Sequence, residues 1–382
     1  MTMVNPSPAV LRWAARRARL TDTELTKRFP KWPLWLNGTA QPTLKQLEAF
    51  SRLTHIAFGY FFLPQPPELN LPIPDFRTLK DRTLVEPSSN LLDTVYLCQQ
   101  RQDWYREYAQ MHGFPILSFV ESANLEISPI TVAKQIRDTL GLSINSRRKL
   151  FTRADALRQL ITMIENIGVL VMISSVVGGN NNRKLDVDEF RGFFLVDNLA
   201  PLIFINGADS KAAQMFTLAH ELAHVWLGTS GVTDIQALEV SQQQTEGWCN
   251  QVAAELLLPI DELTKTFQSN LKIADEIKRV SQEFKVSTLV VIRRLFDAGY
   301  INQDELWQYY NEELNRLSLI EKRVKSGGDF YNSLGSRTSK RFARAIVESA
   351  LEGITSFSEA YRMLGIRKAS TFYEVAHKLG VI

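Results

Sequence analysis

Cysteine is nearly absent from this 382-residue sequence, with Cys98 and Cys249 the only two. No disulfide framework is implied, so the fold must rest on its core. Long hydrophobic runs are missing as well. Stretches such as Ile167 to Val177 fall well short of the ~20 residues a bilayer-spanning helix needs, and no membrane association is expected. The opening Met1-Thr2-Met3-Val4-Asn5-Pro6 lacks the basic region and apolar run of a secretory signal. These absences lead to the expectation of a cytoplasmic protein. A net charge of +3 is too small to argue for partners of the whole chain. There is no internal repeat and no low-complexity tract. What is present is 45% hydrophobic residues, enough for a sizeable core, at a length that suggests two or three domains.

Histidine is scarce too, at five residues, which makes the placing of two of them informative. His220 and His224 stand four apart around Glu221, in the run Phe216-Thr217-Leu218-Ala219-His220-Glu221-Leu222-Ala223-His224-Val225-Trp226. On a helix such residues share a face, with Cβ atoms about 5–6 Å apart. Two imidazoles placed so can grip one Zn²⁺ at about 2.0–2.1 Å each. Glu221, beside the first ligand, can take a proton from a metal-bound water. A helix is expected over Ser210 to Leu227, capped by Asp209 or Ser210 and stopped by Gly228. Its apolar cover, from Ala213 to Trp226, predicts burial. The competing reading is a buried amphipathic helix whose histidines bond only to backbone.

A zinc site that does chemistry usually has three protein ligands and an open position. A second helix is expected from Glu246, closed by Pro259. Two carboxylates compete in it. Glu246 shares a stripe with Asn250, Ala253 and Leu257, a small and apolar face suited to packing on the motif helix. Glu255, nine residues on, is turned by about 100° per residue to the opposite side. Glu246 is therefore the expected third ligand, with Asn250 in support. Cys249 is an alternative ligand, although a lone buried cysteine more often acts as a small hydrophobe.

These two segments resemble the ImmA/IrrE family of zinc metallopeptidases. The match runs through His220, Glu221, His224, Glu246, Asn250, Ala253, Leu256, Leu257 and Pro259, with Pro201 to Asn206 resembling the strand before the motif helix. Cys249 stands where Ala is usual. The resemblance spans roughly residues 125–310. It implies His220, His224 and Glu246 as metal ligands, Glu221 as general base, Zn²⁺ as cofactor and a protein substrate.

Charge is uneven along the chain. Residues 1–40 hold seven basic side chains against two acidic ones, a local excess of five. Short helices are expected at Pro8 to Ala18, from a capping box at Thr21 to Glu24, at Pro30 to Leu36 and at Thr43 to Leu53. Together they resemble an Xre-type helix-turn-helix domain over about residues 7–65. The segment that would read bases, Pro30-Lys31-Trp32-Pro33-Leu34-Trp35-Leu36, offers few polar side chains. DNA binding and protein docking both remain open, with docking favoured. Pro64 to Pro74 holds five prolines and reads as a stiff connector continuing to Arg82. A helix follows from Asn90 to Met111. Further helices are expected at Thr131 to Leu140 and Arg153 to Ile167. Strands are expected at Val169 to Ile173, Phe190 to Val196 and Leu202 to Ile205. Residues 271–318 read as helical, and Gly327-Gly328 marks a joint. From Arg337 the tail holds eight basic residues against four acidic, with a helix-turn-helix-like corner at Leu364-Gly365-Ile366.

The expected fold is α+β and mostly helical, a zincin-like catalytic domain with a small β-sheet flanked by helical modules. The expected divisions are 1–79 (helix-turn-helix-like module and connector), 80–125 (helical linker), 126–318 (peptidase) and 319–382 (C-terminal helical module). The expected activity is zinc-dependent endoproteolysis of a specific partner such as a repressor or antitoxin-like regulator. The alternative is a transcriptional regulator or antitoxin, of a toxin–antitoxin or phage-defence system, in which the zinc site is silent or structural and the modules bind DNA or a toxin. A silent site has no need of a general base, so Glu221 favours the enzyme.

Overall fold

A computed structural model of the chain describes residues 2–74, 86–233, 244–321 and 330–382. The connector's continuation over 75–82 and the joint at Gly327-Gly328 lie outside them. The chain forms two compact units, Met1–Pro72 with Leu79–Leu97, and Ile73–Thr78 with Cys98–Ile382.

The first unit is built on α1 (Pro8–Arg17), α2 (Asp22–Arg28), α3 (Trp32–Leu36) and α4 (Leu44–Thr54). Capping boxes start two of them: Thr21 with Glu24 at α2, and Thr43 with Gln46 at α4. Each satisfies backbone N–H groups that the first turn leaves without a partner. The core is aromatic. Trp32 stacks on Phe50 with ring centroids 5.2 Å apart, and Trp13, Trp35 and Phe61 are buried with them. The Trp32 indole N–H donates to Asp22 Oδ1 at 2.9 Å, so its polar edge costs nothing on burial. With both tryptophans turned inward, α3 exposes Pro33 and Leu34.

The second unit is α+β and mostly helical, as its sequence patterns imply. Its sheet runs in the order β1-β3-β2-β4, with β1 Leu170–Ser174, β2 Gly192–Leu195, β3 Leu202–Asn206 and β4 Gly231–Thr233. β1 and β3 are parallel; β2 is antiparallel to both β3 and β4. Three strands are expected from the sequence, and β4 is the correction. It has three residues and one apolar side chain, Val232, so backbone pairing to β2 rather than any pattern creates it.

Helices cover both faces of the sheet. On one lie α8 (Arg153–Asn166) and α9 (Lys211–Leu227), sharing a core with Val171, Ile173, Ile203, Ile205 and Phe194. On the other, Phe193 stacks on Phe204 at 4.9 Å, and the second half of α5 (Ser89–Met111) closes in. There Gln102 Nε2 donates to the carbonyls of Leu195 and Ala200, both at 2.9 Å. Strands buried on two faces read as continuous apolar runs, which is why their sequences do not alternate.

α10 (Gln244–Leu257) packs on α9, and α6 (Pro129–Leu140) and α13 (Thr288–Asp297) pack on α10. α11 (Ile260–Thr266), α12 (Ile273–Phe284) and α14 (Gln303–Glu321) pack on α13, and α7 (Ile144–Arg148) packs on α12. The tail adds α15 (Phe330–Thr338), α16 (Lys340–Leu351), α17 (Phe357–Leu364) and α18 (Ala369–Lys378), with α15 against β1. Glu165 of α8 holds this tail, accepting from Lys340 N at 2.9 Å and from the Ser339 hydroxyl. Gly365 ends α17 at φ +67°, where a Cβ would lie 3.0 Å from the Gly178 carbonyl oxygen. The Leu364-Gly365-Ile366 corner is therefore seated on the turn after β1. No described helix is long and apolar enough to cross a membrane.

Candidate metal centre

The frame of the site is α9. Ser210 Oγ accepts from Ala213 N and caps its start. Gly228 ends it at φ +69°, and a Cβ there would lie 1.9 Å from Glu121 Cγ, so both conformation and space require glycine. Thr229 is thereby turned back toward the helix end. Residues from Gln214 to Trp226 are buried, including His220, Glu221 and His224.

α10 packs along α9 and brings Glu246 to the two imidazoles. His220 Nε2 and His224 Nε2 are 3.1 Å apart. Glu246 Oε2 is 3.0 Å from the first and Oε1 is 3.4 Å from the second. Three corners of a tetrahedron around Zn²⁺ at about 2.0–2.1 Å would be separated by roughly 3.3 Å. The triangle has that size. Among the described residues, His220, His224 and Glu246 offer ligand atoms that all lie within 4.8 Å of one another. They could hold a metal ion.

The outer ring nitrogens settle how the imidazoles face. His220 Nδ1 meets Asn250 Oδ1 at 3.0 Å, and His224 Nδ1 meets Thr229 Oγ1 at 3.0 Å. The Asn250 oxygen can only accept, so His220 donates from Nδ1 and turns a bare Nε2 inward. Hydroxyl Oγ1 of Thr229 can play the same part for His224. Two nitrogen lone pairs and a carboxylate then converge in a buried space, an arrangement that calls for a cation. When a proton rather than a cation sits on Nε2, burial alone would raise the Glu246 carboxyl, but hydrogen bonds and charge from the protonated His220 and His224 outweigh it and hold it well below the usual range. Burial would depress both imidazoles. Glu246 reverses that for His220, whereas His224, beside His220, stays depressed.

The other candidates lie elsewhere. Cys249 is fully buried, and burial pushes its thiol well up, with Glu246 and Glu221 adding to the effect. It does not join the converging group. Glu255 turns away, pairs with Arg294 and accepts from Ile260 N at 3.3 Å. Both partners of that pair are buried, and Arg294 also donates to the Leu258 carbonyl at 2.8 Å, tying α10 to α13. Glu255→Gln should cost about 3 kcal/mol, the scale of breaking a buried pair. Its thermal midpoint should fall by several degrees with metal content unchanged. Loss of metal with stability intact would contradict the placement of Glu255.

Two contacts at this site are not readable from the motif. Thr229 is one; its signal is a hydroxyl residue directly after the cap glycine. Gly192 on β2 is the other. A Cβ there would lie 2.9 Å from Glu221 Oε1, 2.8 Å from Thr217 Cγ2 and 3.0 Å from the Phe204 carbonyl oxygen. Any side chain at 192 would displace the Glu221 carboxylate.

Comparison with known proteins meets this geometry. Residues 164–296 match the IrrE N-terminal-like domain, Peptidase_M78. The central segment is of the ImmA/IrrE type. That family supports a peptidase activity in general and, with it, a protein substrate. Residues 338–378 match a domain of unknown function, DUF8813, which covers α16, α17 and α18. No curated protein matches the chain.

Proposed function

We propose that the chain is a zinc-dependent endopeptidase that cleaves a specific protein partner, such as a repressor or antitoxin-like regulator. The observation that carries this reading is the buried triangle of His220, His224 and Glu246 with Glu221 beside it on one helix. Bound there, zinc would polarise the scissile carbonyl and ease deprotonation of a water. Asn250 and Thr229 hold the two imidazoles by Nδ1, so that Nε2 is free to ligate. Glu246 supplies the negative charge that two neutral imidazoles lack. Glu221, fully buried and adjacent in sequence to His220, takes the water proton on its carboxylate and returns it to the leaving amine. Gly192 keeps that carboxylate in place by leaving room for it.

The helical modules, over 1–79 and 319–382, serve selection. α3 presents Pro33 and Leu34 rather than polar base readers, which supports docking of a protein over sequence-specific DNA recognition. The seated corner at Gly365 is likewise unsuited to a groove. Narrow specificity follows from the need to spare other proteins of the same compartment. Purified full-length chain should contain one zinc per molecule and turn over casein negligibly. Metal analysis and a casein assay check this; rapid casein turnover would contradict docked selection, and a metal-free preparation that still cleaves the partner would contradict the zinc reading.

A further inference from the structure

A cavity of about 400 Å³ opens against the first half of α9, walled by the starts of α8, α9 and α13, the end of α14 and the segment before β2. Its floor includes Phe216 and Thr217. Thr217 precedes Glu221 by four residues and shares its helical face. The two side chains also flank one point, the Cβ position of Gly192, at 2.8 and 2.9 Å. Thr217 thus links the cavity, which it lines, to Glu221 of the metal centre one helical turn further on. A polypeptide with its scissile carbonyl at that centre would place a neighbouring side chain beside Thr217.

The lining says which side chain fits. Leu289, Leu314 and Leu317 give an apolar wall, suited to a methylene stem. Three arginines face the space. Arg191 is paired with Asp209. Arg316 is held by Glu313, Nε to Oε2 at 2.7 Å, and Glu313 also accepts from Thr288. Arg153 differs. It donates from Nε to the Val286 carbonyl at 3.0 Å and from Nη2 to Ser281 Oγ at 2.6 Å, both neutral acceptors. Among the described residues no carboxylate pairs with it. Burial and then the nearby Arg316 work against its charge, and Glu313 offsets them only in part. The wall holds two carboxylates, Asp209, which is paired with Arg191, and Asp188, which is exposed. A half-buried guanidinium, hydrogen-bonded to neutral partners and with Glu313 near but already engaged by Arg316 and Thr288, is set to receive an anion with charge-assisted hydrogen bonds.

We propose that this cavity is a specificity subsite that receives an acidic side chain, glutamate best, of the polypeptide substrate, with Arg153 as the recognising residue. The proposal rests on the peptidase reading above. The same carboxylate chemistry could come from a free dicarboxylate, so the test separates the two.

The full-length zinc-loaded chain in a Glu221→Gln background is titrated by calorimetry with three probes: N-acetyl-Ala-Glu-Ala-amide, its Gln twin, and glutarate. The Glu peptide should bind at least about tenfold more tightly than the Gln peptide, the scale of a charge-assisted bond. Arg153→Gln should erase the difference and Arg153→Lys should keep part of it. Because Arg153 also braces α12, Ala212→Glu provides a second variant. Ala212 lines the cavity in the first turn of α9, where an acidic residue favours the helix, yet it puts a negative charge into the space. It too should erase the preference. Equal binding of the Glu and Gln peptides, or a preference that survives both Arg153→Gln and Ala212→Glu, overturns the proposal. Glutarate binding that excludes the Glu peptide and exceeds it in affinity overturns it as well, in favour of a free-anion site. In a peptide-library digest by the wild-type chain, an acidic residue should recur at one fixed position beside the cut. Cleavage without that preference overturns the subsite. Arg153-dependent Glu binding with no cleavage of any peptide or partner overturns the peptidase reading and sustains the anion recognition.

Discussion

Glu221→Gln should purify with as much zinc as the wild type and unfold at the same temperature, while cleavage of the natural partner falls by about 10²–10⁴-fold, the contribution of a positioned proton-transfer group. The substitution exchanges one oxygen for an amide of equal size, at a residue with no exposed surface and no part in the metal triangle. Glutamine has the size and shape of glutamate, so the close fit of this side chain beside Gly192 and Thr217 is kept. What the amide cannot do is accept a proton from water. Zinc content by mass spectrometry and partner cleavage by gel, measured on one preparation, check both halves. Equal cleavage by the two proteins would remove Glu221 from the chemistry, and loss of zinc in the variant would make it a ligand instead.

The parts of this molecule that are legible in its sequence are those fixed by local rules. α9 announces itself through Ser210, a long apolar cover and Gly228, since caps and periodicity act within one helix. α10 shows which carboxylate meets α9 because a turn of about 100° per residue separates Glu246 from Glu255 by half a circle. The structure places the first against the imidazoles and the second against Arg294. Features made by distant segments are silent in the sequence. β4 is three residues recruited by the edge of β2, with no pattern of its own. The close approach of Gly192 to Glu221 joins a strand and a helix that sequence spacing cannot relate. The cavity gathers residues from Arg153 to Leu317, and only the packed core brings them to one wall. The N-terminal helices were legible as helices, through their capping boxes, while the inward turn of Trp32 and Trp35 follows from an aromatic core that forms only on folding.

Metal affinity should rank the residues around the triangle, and Glu246→Gln should fall lowest. The variant keeps two inward-facing imidazole nitrogens but replaces the anionic donor with a neutral amide. A divalent ion buried there would lose the charge that balances it. Asn250→Ala removes only the bond that orients His220, whose ring remains packed in α9. A loss of about 10–100-fold in affinity is the scale for such an outer contact. Glu246→Gln should exceed it, and Glu255→Gln should match the wild type because its carboxylate serves Arg294 and not the triangle. Competition with a chelator of known zinc affinity orders the four proteins on one scale. An Asn250→Ala protein that binds zinc more weakly than Glu246→Gln would mean that ring orientation outweighs ligand charge. A Glu246→Gln protein with wild-type affinity would mean that the third corner of the triangle is not a ligand, whatever its distance from the histidines. The order is informative because all three side chains lie on one helix. A general disturbance of α10 would weaken zinc binding in every variant alike, whereas the loss of a ligand weakens it at position 246 far more than at 250 and leaves 255 untouched.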